Sequence, residues 1–356
     1  MDKSNEIFES AVEYHKKNDL TKAEKKYREF LKADPKNSQC LFILGTLLIQ
    51  KKQFKDAIIE LKKSTGEDSK NYHYFQNLGI AYFEDRQFNN AIDAYKESIT
   101  LNNKNADAYN NLGNSLFETK KYDEAIQSYT LAIKLWPNKQ FIFNRARSYK
   151  AGNQYKNALA DLQEIEKSSP LFRQAEDMMA SLYDTLNQPN LSIPIYESRI
   201  KNYEANDAVY KKKVKKENLY LLLIGAFNKK DAKDKAKKTL AALTKEFPES
   251  INVKRAIAHE AYNERRYEDA IKSYKDVIKM KPNSASALQN LAISYQNTGN
   301  FELHELYLKK AIDADKMHTQ ANISMGIMLL KEKKFREAWP HYEHRLLASQ
   351  FRSHKL

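Results

Sequence analysis

Apolar and polar positions follow a helical period along most of this chain, and the pattern is clearest between residues 106 and 139. The apolar positions of that segment are Tyr109, Leu112, Gly113, Leu116, Ala125, Tyr129 and Ala132. Apolar residues at i, i+3, i+4 and i+7 are typical of amphipathic helices. Pro137 follows and cannot continue a helix. The segment therefore predicts two helices that are joined by a tight link.

The same pattern recurs ten times. The units begin near residues 4, 38, 72, 106, 139, 173, 217, 251, 285 and 319. A small residue recurs in the first helix, as in Gly45, Gly79, Gly113, Ala146, Ala258, Ala292 and Gly326. A tyrosine or leucine recurs in the second helix, as in Tyr27, Leu61, Tyr95, Tyr129, Leu162 and Tyr274. One helix pair cannot bury its own apolar face, so the pairs are predicted to stack on one another.

This 34-residue pattern resembles the tetratricopeptide repeat. The resemblance covers almost the whole chain and implies an all-α, right-handed superhelical solenoid of about ten helix-turn-helix units. Units 1–6 are expected within residues 4–206 and units 7–10 within 217–352, as one continuous solenoid. A basic helical insert at 207–216 separates them, and the simplest interpretation is one lengthened helix from about 207 to 228.

The insert carries a run of lysines that could form a basic ledge for an acidic partner or a nucleic acid. These residues are Lys211, Lys212, Lys213, Lys215 and Lys216. The alternative is a solvated helix end. The formal net charge of the chain is +14, but lysine outnumbers arginine 48 to 12. Because arginine is the preferred residue for bidentate phosphate contacts, nucleic acid is not an expected partner.

Composition also bears on the compartment. The only cysteine, Cys40, lies in an apolar stretch and is interpreted as a small core residue. The longest apolar runs have about nine residues, whereas a membrane span needs about 20. We therefore expect a cytoplasmic protein with no membrane partner.

No motif for catalysis is present. The sequence has no glycine-rich phosphate loop, no GxSxG elbow and no paired cysteines at metal-binding spacing. His341 and His344 are three residues apart on a predicted helix, and two ligands without a third make a weak metal site. The chain is therefore expected to be no enzyme and to need no cofactor or metal.

Asparagine recurs two residues before the small residue of the first helix. The four positions are Asn77, Asn111, Asn144 and Asn290. They resemble the asparagine ladder of O-linked N-acetylglucosamine transferases, which implies that their amides hold the backbone of an extended peptide in a concave groove. Further polar contacts are expected from Gln76, Asn110, Asn114 and Arg147. The alternative is that these amides bond one helix to the next.

The C-terminal segment FREAWPHYEHRLL resembles the last repeat of bacterial arrays that precede a glycosyltransferase-like domain. No such domain follows, and no clear polar cap closes the array. We therefore expect a scaffold that binds an extended segment of another protein, with self-association through the uncapped end as a further expectation. The alternative is the substrate-recruiting arm of a glycosyltransferase-like protein, and a second alternative is a basic-surface binder.

Overall fold

The computed structural model describes residues 3–203 and 215–347, which form twenty α-helices and no strand. The first helices of the ten pairs are α1 (Lys3–Lys16), α3 (Ser38–Gln50), α5 (Tyr72–Glu84), α7 (Ala106–Glu118), α9 (Lys139–Ala151), α11 (Phe172–Thr185), α13 (Lys216–Lys229), α15 (Ile251–Asn263), α17 (Ala285–Asn297) and α19 (Thr319–Lys331). The second helices are α2 (Leu20–Ala33), α4 (Phe54–Glu67), α6 (Phe88–Leu101), α8 (Tyr122–Leu135), α10 (Tyr155–Gln163), α12 (Pro189–Lys201), α14 (Lys233–Glu246), α16 (Tyr267–Met280), α18 (Phe301–Ala314) and α20 (Phe335–Tyr342).

Every first helix begins within one residue of a predicted unit start. The all-α repeat architecture is therefore confirmed. We number the helix pairs as repeats 1–10, so that repeat 3 is α5 with α6 and repeat 4 is α7 with α8.

Asparagine begins several of the first helices. The side chains of Asn37, Asn71, Asn105 and Asn138 accept hydrogen bonds from backbone N–H groups of the first turn. These bonds satisfy N–H groups that have no partner inside the helix. Part of the asparagine content of the chain is thus explained by helix capping.

The turn inside each repeat has one backbone geometry. A residue with positive φ follows the first helix in all ten pairs, at Asn18, Lys52, Arg86, Lys120, Asn153, Asn187, Asp231, Arg265, Gly299 and Lys333. The next residue donates its N–H back across the turn, as Lys121 does to the carbonyl of Leu116 at 2.9 Å. This arrangement satisfies carbonyls at the end of the first helix and reverses the chain.

The two helices of a repeat approach closely where a small residue faces a large one. A Cβ atom added to Gly79 would lie 2.6 Å from the ring of Tyr95, and one added to Gly113 would lie 2.7 Å from the ring of Tyr129. Both tyrosines are almost fully buried. The glycines are therefore required by packing, and the predicted pairing of small and large positions is confirmed.

The chain divides into two compact units, residues 1–182 and 183–356, with the boundary inside α11. In the first unit, α3 contacts α5, α5 contacts α7 and α7 contacts α9, so these first helices lie side by side. The surface formed by α5, α7 and α9 is called the first-helix face below.

The expected single helix from 207 to 228 is wrong at Lys215. This residue has extended backbone angles, φ −79° and ψ 133°, and α13 begins only at Lys216. The remainder of the insert, 207–214, lies outside the described residues, so its predicted helical structure stays a prediction.

Candidate functional site

Two of the four recurring asparagines bond one first helix to the preceding one. The amide nitrogen of Asn77 on α5 donates to the hydroxyl of Thr46 on α3 at 2.8 Å. The amide nitrogen of Asn144 on α9 donates to the side-chain oxygen of Asn110 on α7 at 3.0 Å. Asn144 is also only 5% exposed. These two amides are used for packing between successive repeats.

Asn111 on α7 is different because of its neighbour. The position that Thr46 occupies before Asn77 is occupied by Ile80 before Asn111, and an isoleucine side chain accepts no hydrogen bond. The side-chain oxygen of Asn111 accepts from Asn110 at 3.3 Å. Among the described residues, nothing accepts from its amide nitrogen. The donors of this half-buried amide are therefore open to a ligand.

Asn111 lines a cavity of about 280 Å³, called the α5–α7 cavity below. Its lining residues are Ile80, Phe83, Glu84, Tyr95, Asn111 and Asn114. Ile80 and Phe83 contribute apolar side chains to the lining, and Glu84 contributes an exposed acidic residue. A cavity of this size holds one side chain rather than a whole peptide.

The hydroxyl of Tyr95 is a second polar group without a partner in the part of the chain that the structure describes. The residue is only 2% exposed and lines the α5–α7 cavity. Burial raises the pKa of Tyr95, and the negative charge of Glu84 raises it further. The hydroxyl therefore keeps its proton at neutral pH and can donate a hydrogen bond into the cavity.

The other expected contact residues are partly occupied. The side-chain oxygen of Gln76 accepts from Asn105 at 2.8 Å, and that of Asn114 accepts from the hydroxyl of Tyr129 at 2.7 Å. The guanidinium of Arg147 lies 4.7 Å from the ring centre of Phe117. These residues all lie in the first unit, near the first-helix face. Each already has a partner inside the chain.

Asn290 belongs to the second unit. Burial raises the pKa of Tyr274 to about 12, and a smaller interaction with the side chain of Asn290 lowers it. Asn290 is thus engaged in packing within its own unit.

Two of the five lysines of the expected basic ledge are described. Lys215 precedes α13, and the ammonium of Lys216 lies 2.9 Å from the carboxylate of Glu246. The side chain of Lys216 is only 12% exposed, which makes it a poor contact for a partner. Lys211, Lys212 and Lys213 lie outside the described residues.

Sequence reasoning missed Phe83, Glu84 and Tyr95 as site residues. Tyr95 was assigned to the core because its position in the repeat is a packing position. A signal for the cavity was nonetheless readable in the sequence. Ile80 occupies the position directly after the small residue of α5, where Thr46 of α3 accepts from the amide of Asn77, and an isoleucine cannot accept from the amide of Asn111.

The described residues contain no cluster of three or more histidine, cysteine, aspartate or glutamate side chains that could hold a metal ion. Cys40 is buried, and its burial raises the pKa of the thiol to about 12. This fits its interpretation as a core residue, since a nucleophilic cysteine needs a lowered pKa. Within the described ranges no helix is both long and apolar enough to cross a membrane.

Sequence comparison identifies the family. Tetratricopeptide repeat models match residues 8–72, 106–139 and 255–343, and further models of the same repeat match 79–119 and 220–250. Together they cover more than half of the chain. The chain belongs to the tetratricopeptide repeat family. No protein with a curated description matches it in sequence.

Solved structures with this fold include a tetratricopeptide repeat protein from Parabacteroides merdae, at a TM-score of 0.50 and 16% identity over 82% of this chain and 98% of that one. A MamA protein is 27% identical over 47% of this chain and 98% of that one, at a TM-score of 0.42. PilF of Pseudomonas aeruginosa is 16% identical over 57% and 93%, at a TM-score of 0.47.

Tetratricopeptide repeats are protein-interaction modules, and the chain is a protein-interaction scaffold of that family. The family and the fold are typical of non-catalytic scaffolds. The expected link to a glycosyltransferase-like protein finds no support in these matches and stays a prediction.

Proposed function

We propose that the first-helix face of repeats 3–5 binds an extended segment of a partner protein, and that Asn111 holds one of its peptide groups. The observation that carries this proposal is the open amide of Asn111 beside the α5–α7 cavity. A side-chain amide donates and accepts, so it can satisfy a peptide unit whatever the side chain. An extended segment offers such units because its backbone is not paired within a helix.

The hydrogen bonds of Asn77 and Asn144 limit the proposed peptide contact to Asn111. Asn77 and Asn144 bond neighbouring helices, so they hold the geometry of the face and are expected to affect stability more than binding. The proposal therefore rests on one amide at the centre of the face rather than on three equal ones.

The test is a selection of displayed random peptides on the whole chain, followed by affinity measurement of the selected peptides. Asn111→Ala should weaken their binding about two- to twelvefold, the value of one hydrogen bond of about 0.5–1.5 kcal/mol. The matched control is Asn89→Ala, which removes an exposed amide from the second helix of repeat 3. Equal loss in both variants, or no loss in Asn111→Ala, would contradict the proposal.

A further inference from the structure

We infer that the α5–α7 cavity receives a lysine or arginine side chain of the bound segment. This inference rests on the proposed function, because it names the side chain that the segment places beside Asn111. We use junction for the contact between two successive repeats. The observation behind the inference is the junction between repeats 4 and 5, where a basic side chain of the chain itself occupies the corresponding place.

The junctions between repeats 3 and 4 and between repeats 4 and 5 use the same residue types. Phe117, Glu118, Tyr129 and Asn144 of the second junction stand at the positions of Phe83, Glu84, Tyr95 and Asn111 in the first. Each set places an aromatic ring, a carboxylate, a buried tyrosine and an amide together. The two junctions differ at the positions directly after the small residues, where Ile80 on α5 corresponds to Asn114 on α7, and Asn114 on α7 corresponds to Arg147 on α9.

In the junction between repeats 4 and 5, a basic side chain occupies the place that corresponds to the α5–α7 cavity. The guanidinium of Arg147 lies over the ring of Phe117, with 4.7 Å between its carbon and the ring centre. Burial raises the pKa of Tyr129 strongly, and the positive charge of Arg147 is the largest influence that lowers it. A positive charge over an aromatic ring is attracted by the negative face of that ring. The junction is therefore filled by a basic side chain from its own chain.

In the first junction the corresponding residue is too short to do this. Asn114 has a small side chain, and its oxygen already accepts from the hydroxyl of Tyr129. The space that Arg147 fills in one junction is the α5–α7 cavity in the other. Neither Tyr95 nor Glu84 has a cation bonded to it among the described residues. The junction between repeats 3 and 4 thus has the same kinds of group that lie around Arg147 in the next junction, namely a ring, a carboxylate and a hydroxyl. The described part of the chain places no basic side chain among them.

Local charge favours the same occupant. Residues 72–138 carry eight aspartates and glutamates against six lysines and arginines, a net charge of −2 in a chain of +14. A basic segment is repelled by most of the chain and attracted by repeats 3 and 4. An acidic or phosphorylated side chain would instead face the carboxylate of Glu84.

The experiment starts from peptides selected on the wild-type chain. We expect one position of these peptides to be lysine or arginine. Norleucine keeps the length of lysine without its charge, and its substitution at that position should weaken binding about tenfold, as expected for a partly desolvated cation–π contact with a neighbouring carboxylate. Glutamate at that position should weaken binding further.

Three variants assign the effect to the cavity. Glu84→Gln should reduce the preference for lysine over norleucine, while the matched control Glu118→Gln, at the same position of the next repeat, should keep it. Asn114→Arg should fill the cavity from within and abolish binding of the lysine peptide, with helicity measured by circular dichroism. Because Glu84 is exposed, its variant tests the inference even if Asn114→Arg fails to fold.

The outcomes separate the inference from the proposed function. Peptides that depend on Asn111 but show no preference for a basic residue would overturn the inference and leave the proposed function standing. A lysine preference that survives Glu84→Gln and Asn114→Arg unchanged would overturn the inference too. If no peptide binds, or if binding is unaffected by Asn111→Ala, the proposed function fails and the inference fails with it.

Discussion

Both units have a buried tyrosine in one repeat and an asparagine at the matching position of the next repeat. The two residues interact in the second unit and line a cavity in the first. In the second unit, the side chain of Asn290 of repeat 9 interacts with Tyr274 of repeat 8 and lowers its pKa against the larger effect of burial. In the first unit, Tyr95 of repeat 3 and Asn111 of repeat 4 stand at the same positions and both line the α5–α7 cavity, and burial and Glu84 alone affect the pKa of Tyr95. One pair of residues thus serves packing in one unit and is available for binding in the other.

The residues around the pair explain the difference. The carboxylate of Glu84 is replaced in the second unit by the amide of Asn263, and the position of Asn114 is taken by Ile293. The junction between repeats 8 and 9 therefore lacks the carboxylate that Glu84 offers a ligand, and it has an apolar residue where Asn114 stands. A repeat array can keep its packing positions unchanged while neighbouring positions decide whether a junction is closed.

The units also differ in charge. Residues 1–182 carry 28 lysines and arginines against 25 aspartates and glutamates, which is +3. Residues 183–356 carry 32 against 21, which is +11. Nearly all the excess positive charge therefore lies in the second unit, and the junction proposed to bind a basic side chain lies in the unit with little of it.

The largest expected effect concerns alkaline pH. Burial raises the pKa of Tyr27 and of Cys40 to about 12 in the first unit, and it raises the pKa of Tyr95 and Tyr129 there as well. In the second unit burial likewise raises the pKa of Tyr274 to about 12. A folded-state pKa above the unfolded value adds stability below the unfolded pKa, and this stability is lost as the pH rises towards the folded pKa.

The window for the tyrosines therefore opens above pH about 10, and each group adds a slope of about 1.4 kcal/mol per pH unit. The first unit should therefore lose stability steeply as the pH rises through this window. Urea unfolding of the whole chain at pH 8 and at pH 10.5, read by brief proteolysis and mapping of the cleaved peptides, measures this. Tyr27→Phe should reduce the slope of the first unit alone. An unchanged slope in Tyr27→Phe would contradict the expectation.

The next effect concerns the small residue that faces the tyrosine. In the first unit it is Gly79, where a Cβ atom would lie 2.6 Å from Tyr95, and in the second it is Ala258, which is fully buried in the same repeat as Tyr274. Gly79→Ala should destabilise the chain by about 1–3 kcal/mol through overpacking, although alanine favours helices. Thermal unfolding measures this change.

The matched change in the second unit is Ala258→Gly. It should cost about 1 kcal/mol for a different reason, the loss of helix propensity. A melting temperature that rises in Gly79→Ala would show that the two units have equal room at this position.

The smallest effect concerns the tyrosine hydroxyls. Tyr274→Phe removes the hydroxyl that interacts with Asn290 and should cost about 0.5–1.5 kcal/mol, as measured by the urea midpoint. Tyr95→Phe removes a hydroxyl that lines the α5–α7 cavity and has no described partner, so stability should be unchanged while peptide affinity falls. A matching loss of stability in both variants would mean that the two junctions are in the same state.

Much of the fold was predictable because packing imposes a period. The positions of Gly79, Gly113, Tyr95 and Tyr129 follow from the requirement that small faces large at each close approach. The recurrence of Asn77, Asn111 and Asn144 was equally visible. Their different bonds were not predicted, because these depend on the residue that each one meets on the preceding helix, which is Thr46 for Asn77 and Ile80 for Asn111.

Other features depend on side-chain conformation or on local backbone geometry. The hydrophobic pattern of the sequence does not predict them. The position of Arg147 over Phe117 follows from the rotamer of a long side chain. The extended backbone at Lys215 interrupts a segment that has no glycine or proline. Neither is marked by hydrophobic periodicity, which is the main signal that sequence offers for helices.

The shared geometry of the turns with positive φ indicates where such an array gains or loses residues during evolution. Ten turns share one geometry, although nine of them use a residue other than glycine. The single 33-residue spacing, from Lys120 to Asn153, comes from the shorter link between α8 and α9, and the 44-residue spacing, from Asn187 to Asp231, includes the basic insert between α12 and α13. The hairpin is thus inherited as a fixed part, and duplication, loss or insertion is tolerated at the joints between hairpins.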